Sequence, residues 1–227
     1  MKRFLLATVL TVAASSAYAQ TTTYRVKVEA ADNIYGAGAT TAPGGGNVPA
    51  GVITLPAGSQ CVVIKKVAGS FVAPDCTSPE GCITVNDGRN YNDADGAYAQ
   101  VKKSSNTGTA SISGIAAPGA GYLVALFTDG TPSGAAPPLL DFETAPKTKF
   151  LTLSPLIDQT FFVGDGRKLD GSGPHQTFVV PAGATALTFG ISDTCDNFNG
   201  APGCYFDNKG NFKLKVDVST TACATPQ

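Results

Sequence analysis

The chain has 227 residues, with 16 Lys and Arg against 17 Asp and Glu, 15% charged residues, one His and no Trp. A formal net charge of −1 does not describe a nucleic-acid binder, which needs clustered Lys and Arg to neutralise phosphate. The 26 Gly and 15 Pro argue for many short strands and turns, and against a helical bundle.

The chain opens on Met1-Lys2-Arg3, continues through an apolar stretch from Phe4 to Ala14 and reaches Ala17-Tyr18-Ala19. A positive start, a short apolar run and a small-x-small motif form a secretory leader over residues 1–19. The run is shorter than the roughly 20 apolar residues that span a bilayer. The mature protein is expected to begin at Gln20, to be secreted or periplasmic, and not to insert into a membrane. Loss of Lys2 and Arg3 with the leader makes it more acidic. Residues 20–227 suit one β-domain with loop insertions.

Export gives the cysteines meaning. Cys61, Cys76, Cys82, Cys195, Cys204 and Cys223 are an even set in an oxidising compartment, which suggests disulfides. Six cysteines allow fifteen pairings, and sequence alone does not choose among them. Nearness along the chain favours Cys76 with Cys82 and Cys195 with Cys204, which leaves Cys61 for Cys223. A zinc site fits poorly, because a close Cys pair of the finger type is missing and only one His exists.

Strand signals follow in order. Tyr24 to Ala30 alternates, with Tyr24, Val26 and Val28 on one face. Val52 to Leu55 ends at the turn Pro56-Ala57-Gly58, and Cys61 to Ile64 runs on to Val67. Gly121 to Phe127 is the most apolar run and reads as a central strand. Gln159 to Val163 ends at Gly164-Asp165-Gly166. Gln176 to Val180 meets a second Pro-Ala-Gly turn at 181–183, and Ala186 to Ile191 follows. Phe212 to Val218 alternates, with Lys213, Lys215 and Asp217 facing water. Segments near 36–50, 86–120 and 128–137 are Gly-rich and polar, and read as loops or edge strands. No amphipathic helix of convincing length appears. Eight or nine short strands give an all-β, antiparallel β-sandwich of jelly-roll type.

Three acidic loops are candidate sites. Asn86 to Gly96 holds Asp93, Asp95 and Gly96 in an EF-hand-like spacing, but Lys102 stands near the place of the closing Glu. Gly164-Asp165-Gly166 reads as a tight turn. The third, Ser192 to Asn211, is the richest. It carries Asp193, Asp196, Asp207, Asn197, Asn199 and Asn208 between two strands, at an end of the sandwich where binding loops gather. Calcium takes six to eight oxygens from carboxylates, amides and backbone carbonyls, and this stretch offers them. A self-capping loop held by Cys195 and Cys204 is the other reading of the same residues.

Within that loop, Ala201-Pro-Gly-Cys-Tyr-Phe-Asp-Asn-Lys-Gly-Asn-Phe212 resembles the signature of the bacterial galactophilic (PA-I-like) lectins, a Pro-Gly-x-Tyr-x-Asn-Asn-x-Gly-x-Phe segment that enters the last strand. The resemblance covers roughly residues 175–218. It extends to the core strand at Gly121 to Phe127 and to a Phe-Phe-x-Gly-Asp-Gly motif of enlarged relatives, here Phe161 to Gly166. It implies a galactose-binding-domain-like β-sandwich that holds sugar through Ca2+.

Carried over, the resemblance makes Asp193, Asp207 and Asn208 side-chain calcium ligands and Cys204 a backbone-carbonyl ligand, with a further carbonyl near Phe71. Asp193 requires an insertion, Thr194 to Gly200, and Asp196 or Asn199 would replace it. Asp193, Tyr205 and Asp207 would meet the sugar. The family also grips sugar with a His and a Gln from a separate loop, and the corresponding region, about 74–96, has no His. Calcium binding therefore carries over better than galactose specificity. Without Trp, the aromatic platform falls to Tyr205, Phe206 or Tyr91.

The expected function is calcium-dependent binding of a carbohydrate or glycoconjugate, without catalysis. The alternative is an envelope-associated sandwich whose calcium loop only stabilises it. An enzyme is the least supported reading: His175 lies in a strand-like run and the Gly-x-Ser-x-Gly elbow is missing.

Overall fold

The computed structural model describes residues 19–72, 83–84, 90–91, 93–96, 104–117, 119, 121–168, 173–195, 199–206 and 208–224. The leader and the Cys76–Cys82 pair lie outside these residues. In chain order the strands are β1 (Thr21–Glu29), β2 (Val52–Thr54), β3 (Cys61–Val72), β4 (Ile83–Thr84), β5 (Asn90–Tyr91), β6 (Ser104–Gly108), β7 (Ser113–Ala117) and β8 (Tyr122–Thr128). They continue as β9 (Leu140–Asp141), β10 (Thr152–Leu153), β11 (Phe161–Phe162), β12 (Thr177–Val179), β13 (Ala186–Ser192), β14 (Asn199–Gly200) and β15 (Lys209–Ser219). Helix among the described residues is limited to two 3-10 turns, Ile34–Gly36 and Ala145–Thr148. The fold is all-β and sandwich-like, as the sequence predicts.

Two sheets face each other across the main core. The outer one has five strands in the order β1-β15-β3-β12-β10, and the inner one has four in the order β11-β8-β13-β2. Val26 and Val28 of β1, Ile64 of β3, Phe178 of β12 and Phe212, Leu214 and Val216 of β15 fill one side. Leu123, Ala125 and Phe127 of β8 with Leu187, Phe189 and Ile191 of β13 fill the other. The Phe161 ring packs between Phe127 and Phe178, with centroids 5.4 and 4.9 Å away. Each such side chain contributes roughly 1.5–3 kcal/mol through burial.

A second core changes the expected two-layer picture. The alternate residues of β8, Tyr122, Val124 and Leu126, point away from the first core and pack with Phe162, Ile34, Ile112, Ile115 and Phe142. They lie beneath a third sheet, ordered β14-β6-β7-β9. Strands β11, β8 and β13 of the inner sheet are thus buried on both faces, whereas the edge strand β2 is covered on one only. This explains why β8 reads as one continuous apolar run, whereas β1 and β15 alternate. The third sheet takes its two longer strands, β6 and β7, from the 86–120 segment, expected to be loops or edge strands. Its β7, Ser113–Ala117, is fully buried. Small Ser, Gly and Ala side chains carry little strand propensity, so burial rather than local preference makes this strand.

The two Pro-Ala-Gly turns close with the same hydrogen bond. Ser59 N–H donates to Pro56 O and Ala184 N–H to Pro181 O, both at 3.1 Å. Each carries the chain between the outer and the inner sheet. Cys61 and Cys223 are bonded, with Cα atoms 4.9 Å apart, and so are Cys195 and Cys204, at 5.0 Å. Both pairings match those favoured by the sequence. Disulfides suit a compartment outside the reducing cytosol. No described helix is long and apolar enough to cross a membrane.

The two-sided burial of the inner sheet has a direct test. Leu126→Ala should destabilise the protein by about 2–5 kcal/mol in denaturant unfolding, as much as Leu123→Ala. In a two-layer sandwich Leu126 would face water, and its loss would cost under about 0.5 kcal/mol.

Candidate functional site

The loop after β13 is anchored from below by Tyr205. This side chain is fully buried. Its hydroxyl donates to Ile191 O at 3.2 Å and accepts from the Asp193 N–H at 2.9 Å. Burial, before the nearby Tyr35 and Asp193, pushes its ionisation well above the ordinary tyrosine range, so the hydroxyl stays a donor. This position differs from the expected one: Tyr205 lies in the core and is not a surface platform for sugar. The neighbouring Phe206 has 80% of its surface exposed.

The ends of the loop meet at Asp193 and Asn208. Asn208 Nδ2 donates to Asp193 Oδ2 at 2.9 Å, and the Thr194 N–H donates to Oδ1 at 2.8 Å. Asn208 is only 7% exposed, and its Oδ1 is buried without a hydrogen-bond partner. The buried Thr194 hydroxyl also lacks one. Buried amide and hydroxyl oxygens seldom stay unsatisfied. Two oxygens of the calcium-ligand type thus stand beside a carboxylate, and the residues present fit a hard cation. Cys204 sits on the same loop, in the left-handed region at φ 64° and tied to Cys195. Asp196, Asn197 and Asp207 lie outside the described residues. Asn199 lies in β14, opposite Ser105 of β6.

The loop is held from two further directions. Asn106 of β6, fully buried, donates through Nδ2 to Asp193 O at 2.8 Å, and the Gly203 N–H donates to the same oxygen at 3.2 Å. Within the 194–200 insertion, β14 pairs with Ser105 and Asn106. The third sheet therefore buttresses the site, and the sequence reading missed Asn106 because its Ser-Ser-Asn-Thr-Gly run looks like loop. On the other side the Pro-Gly-Gly-Gly tract at 43–46 packs against residues 202–205. A Cβ on Gly44, at φ +71°, would lie 1.8 Å from Pro202 O, so only glycine fits. The end of β3 also arrives here, with Phe71 opposite Gly210 and Val72 opposite Lys209.

The other two acidic loops come together elsewhere. Asp95 Oδ1 accepts the Asp165 N–H at 3.0 Å, and Asp93 Oδ1 accepts the Asp95 N–H at 2.9 Å. A Cβ on Gly164 would lie 2.0 Å from Asp95 Oδ1, which explains the glycine before Asp165. Burial, then the charges of Asp165 and Asp93, pushes Asp95 up to about 7. The three carboxylates are neighbours, yet they do not converge as a metal cluster among the described residues. His175 is 3.4 Å from Arg167 through Nε2 and Nη2. Burial, then the Arg167 and Lys65 cations, lowers its pKa.

No protein-family model matches the chain, and no curated protein or solved structure is significantly similar to it.

Two expectations follow. Tyr205→Phe should lower stability by about 1–3 kcal/mol, read by denaturant unfolding, because the buried Ile191 O loses a donor and the Asp193 N–H an acceptor. Asp95 has a raised folded-state pKa, so its stabilising protonated form is lost as pH climbs from about 4 to about 7. Asp95→Asn should therefore be more stable than the parent at pH 8, with the difference shrinking towards pH 4.

Proposed function

We propose that the protein is an exported, calcium-dependent carbohydrate-binding protein, with its binding loop formed by Asp193 and residues 201–212. The reading combines the resemblance to the galactophilic lectins, whose sandwich is of jelly-roll type, with one observation: the buried, unpartnered Asn208 Oδ1 beside the Asp193 carboxylate. With the Asn208 amide turned so that Oδ1 rather than Nδ2 faces Asp193, a cation shared by the two would complete the oxygen's valence and neutralise the carboxylate. Asp193, Asn208, Asp207 and the Cys204 carbonyl would hold Ca2+, and Thr194 Oγ1 adds a fifth oxygen. When bound, the ion would supply a Lewis-acidic centre that accepts two vicinal sugar hydroxyls.

This chain's residues supply the rest. Tyr205 and Asn106 hold the backbone of Asp193 from inside, so the carboxylate is preorganised before ligand arrives. Asp193 and Asp207 accept hydrogen bonds from sugar hydroxyls. Phe206, the exposed aromatic of the loop, offers an apolar face to a sugar ring. The role is binding, without a catalytic step; His175 is engaged with the Arg167 guanidinium.

The alternative is a sandwich whose calcium loop serves stability alone. The burial of Tyr205 and the missing His of the second sugar loop favour it, since both remove contacts to the sugar. The experiment separates the two. Calcium at 100-fold over its Kd should stabilise the fold by about 2.7 kcal/mol, a chelator should reverse this, and Asp193→Asn should abolish it. A glycan array should give calcium-dependent signals that weaken in Phe206→Ala. Calcium stabilisation with a blank array would leave the structural reading. A melting temperature that ignores both calcium and chelator would defeat both.

A further inference from the structure

The outer face of the five-stranded sheet carries a second feature, unrelated to the calcium loop. The register sets Arg25 of β1 opposite Lys215 of β15, and Lys215 opposite Lys66 of β3. The next row on the same face sets Lys27 opposite Lys213, with Ala68 beyond. Five cations therefore share one surface, and they line a depression of about 410 Å³ floored by Val26, Ala68 and Leu214. The carboxylates that the register places on this face of the three strands are Glu29, which pairs with Lys27, and Asp217, which accepts from Thr23 Oγ1 at 2.6 Å.

Stability does not explain this arrangement. Like charges directly opposite each other on a sheet are unfavourable, and three stand in one row. Lysines do protect edge strands from pairing with other chains. Here, however, β15 and β3 are interior strands, ordered β1-β15-β3-β12. A protein of net charge −1 has gathered a positive field on one face, and such fields concentrate anionic ligands.

We propose that this face binds a linear polyanionic polysaccharide, one that bears sulfate or carboxylate groups on successive sugars. Charge complementarity and spacing support it. Cations on neighbouring strands stand about 4.8 Å apart, and those two residues apart on one strand about 6.8 Å, so an extended anionic chain laid across the strands meets one cation after another. Nucleic acid fits less well. Single strands need aromatic platforms, and the three strands expose none among their described side chains. A membrane surface fits less well too, because interfacial binding buries apolar side chains. The exposed large apolar residues Val52, Leu139, Leu156 and Phe206 all lie outside these strands. The disulfide Cys61–Cys223 begins in β3 of this sheet, and suits an oxidising compartment.

The test uses the mature chain and immobilised heparin, with chelator present so that the calcium loop takes no part. The protein should be retained at low salt and released as salt rises. The triple variant Arg25→Gln/Lys66→Gln/Lys215→Gln should pass through, and its slope of log affinity against log salt should fall by roughly three. Removing like-charge contacts should leave its melting temperature equal or higher, so folding is not at risk. A control, Lys147→Gln/Lys149→Gln/Lys168→Gln, removes the same charge elsewhere and should elute as the parent does. Equal weakening of both triples would overturn the proposal, because only net charge would matter. Tighter binding to duplex DNA or to phosphatidylglycerol vesicles than to heparin at matched salt would overturn it as well.

Discussion

The structure depends on one constraint: strands β8, β11 and β13 of the inner sheet are buried on both faces. β8 contributes alternate residues to two separate cores, while β13 gives Leu187, Phe189 and Ile191 to the first and turns the small, buried Thr188, Gly190 and Ser192 to the other side, so neither strand can shift register by one residue without sending large side chains to the wrong layer. Everything that positions the candidate site follows from that rigidity. β13 ends at Ser192, which lies under the Tyr35 hydroxyl at 3.1 Å, and the next residue is Asp193. The carboxylate is carried on the end of a strand that is buried on both faces.

The third sheet has a second role beyond covering this surface. Through Asn106 it reaches the Asp193 carbonyl, and through β6 it pairs with the 194–200 insertion. The loop is therefore supported by a strand before it, a disulfide within it, a buried tyrosine under it and a neighbouring sheet beside it. A loop held from so many sides keeps a polar cluster in place at little entropic cost when a ligand arrives. The basic face on the outer sheet needs no such support, because long, hydrated Lys side chains act as point charges on flexible stems.

Much of this was legible in the sequence, for identifiable reasons. Strands with clean patterning were found near their observed bounds: β15 from its alternation, β8 from its unbroken apolar run, β13 from its β-formers between turns. The pairings Cys61–Cys223 and Cys195–Cys204 followed from nearness and elimination. β6 and β7 were not legible, since Ser, Gly and Ala become strand there only by burial beneath a third layer that no local pattern announces. The site was legible in part. Asp193 and Asn208, both read as calcium ligands, lie within hydrogen-bond distance of each other, whereas Tyr205, read as a sugar-facing aromatic, lies in the core, and composition gives no hint that its ring points inward. The convergence of Asp93 and Asp95 with Asp165 was hidden too, because each loop reads as an ordinary turn and only the strand order brings them together. The cationic row was written in Arg-Val-Lys, Lys-Lys and Lys-Leu-Lys, yet a net charge near zero concealed it.

The central claim is that Asp193 and Asn208 hold a hard trivalent or divalent cation next to Tyr205. Terbium luminescence tests it directly, because the chain lacks Trp and sensitised emission must come through tyrosine or phenylalanine. The account predicts tyrosine-sensitised emission that excess calcium displaces, that Asp193→Asn and Asn208→Ala abolish, and that Asp95→Asn leaves intact. Emission that is absent, or that survives both loop substitutions and vanishes in Asp95→Asn, would contradict it.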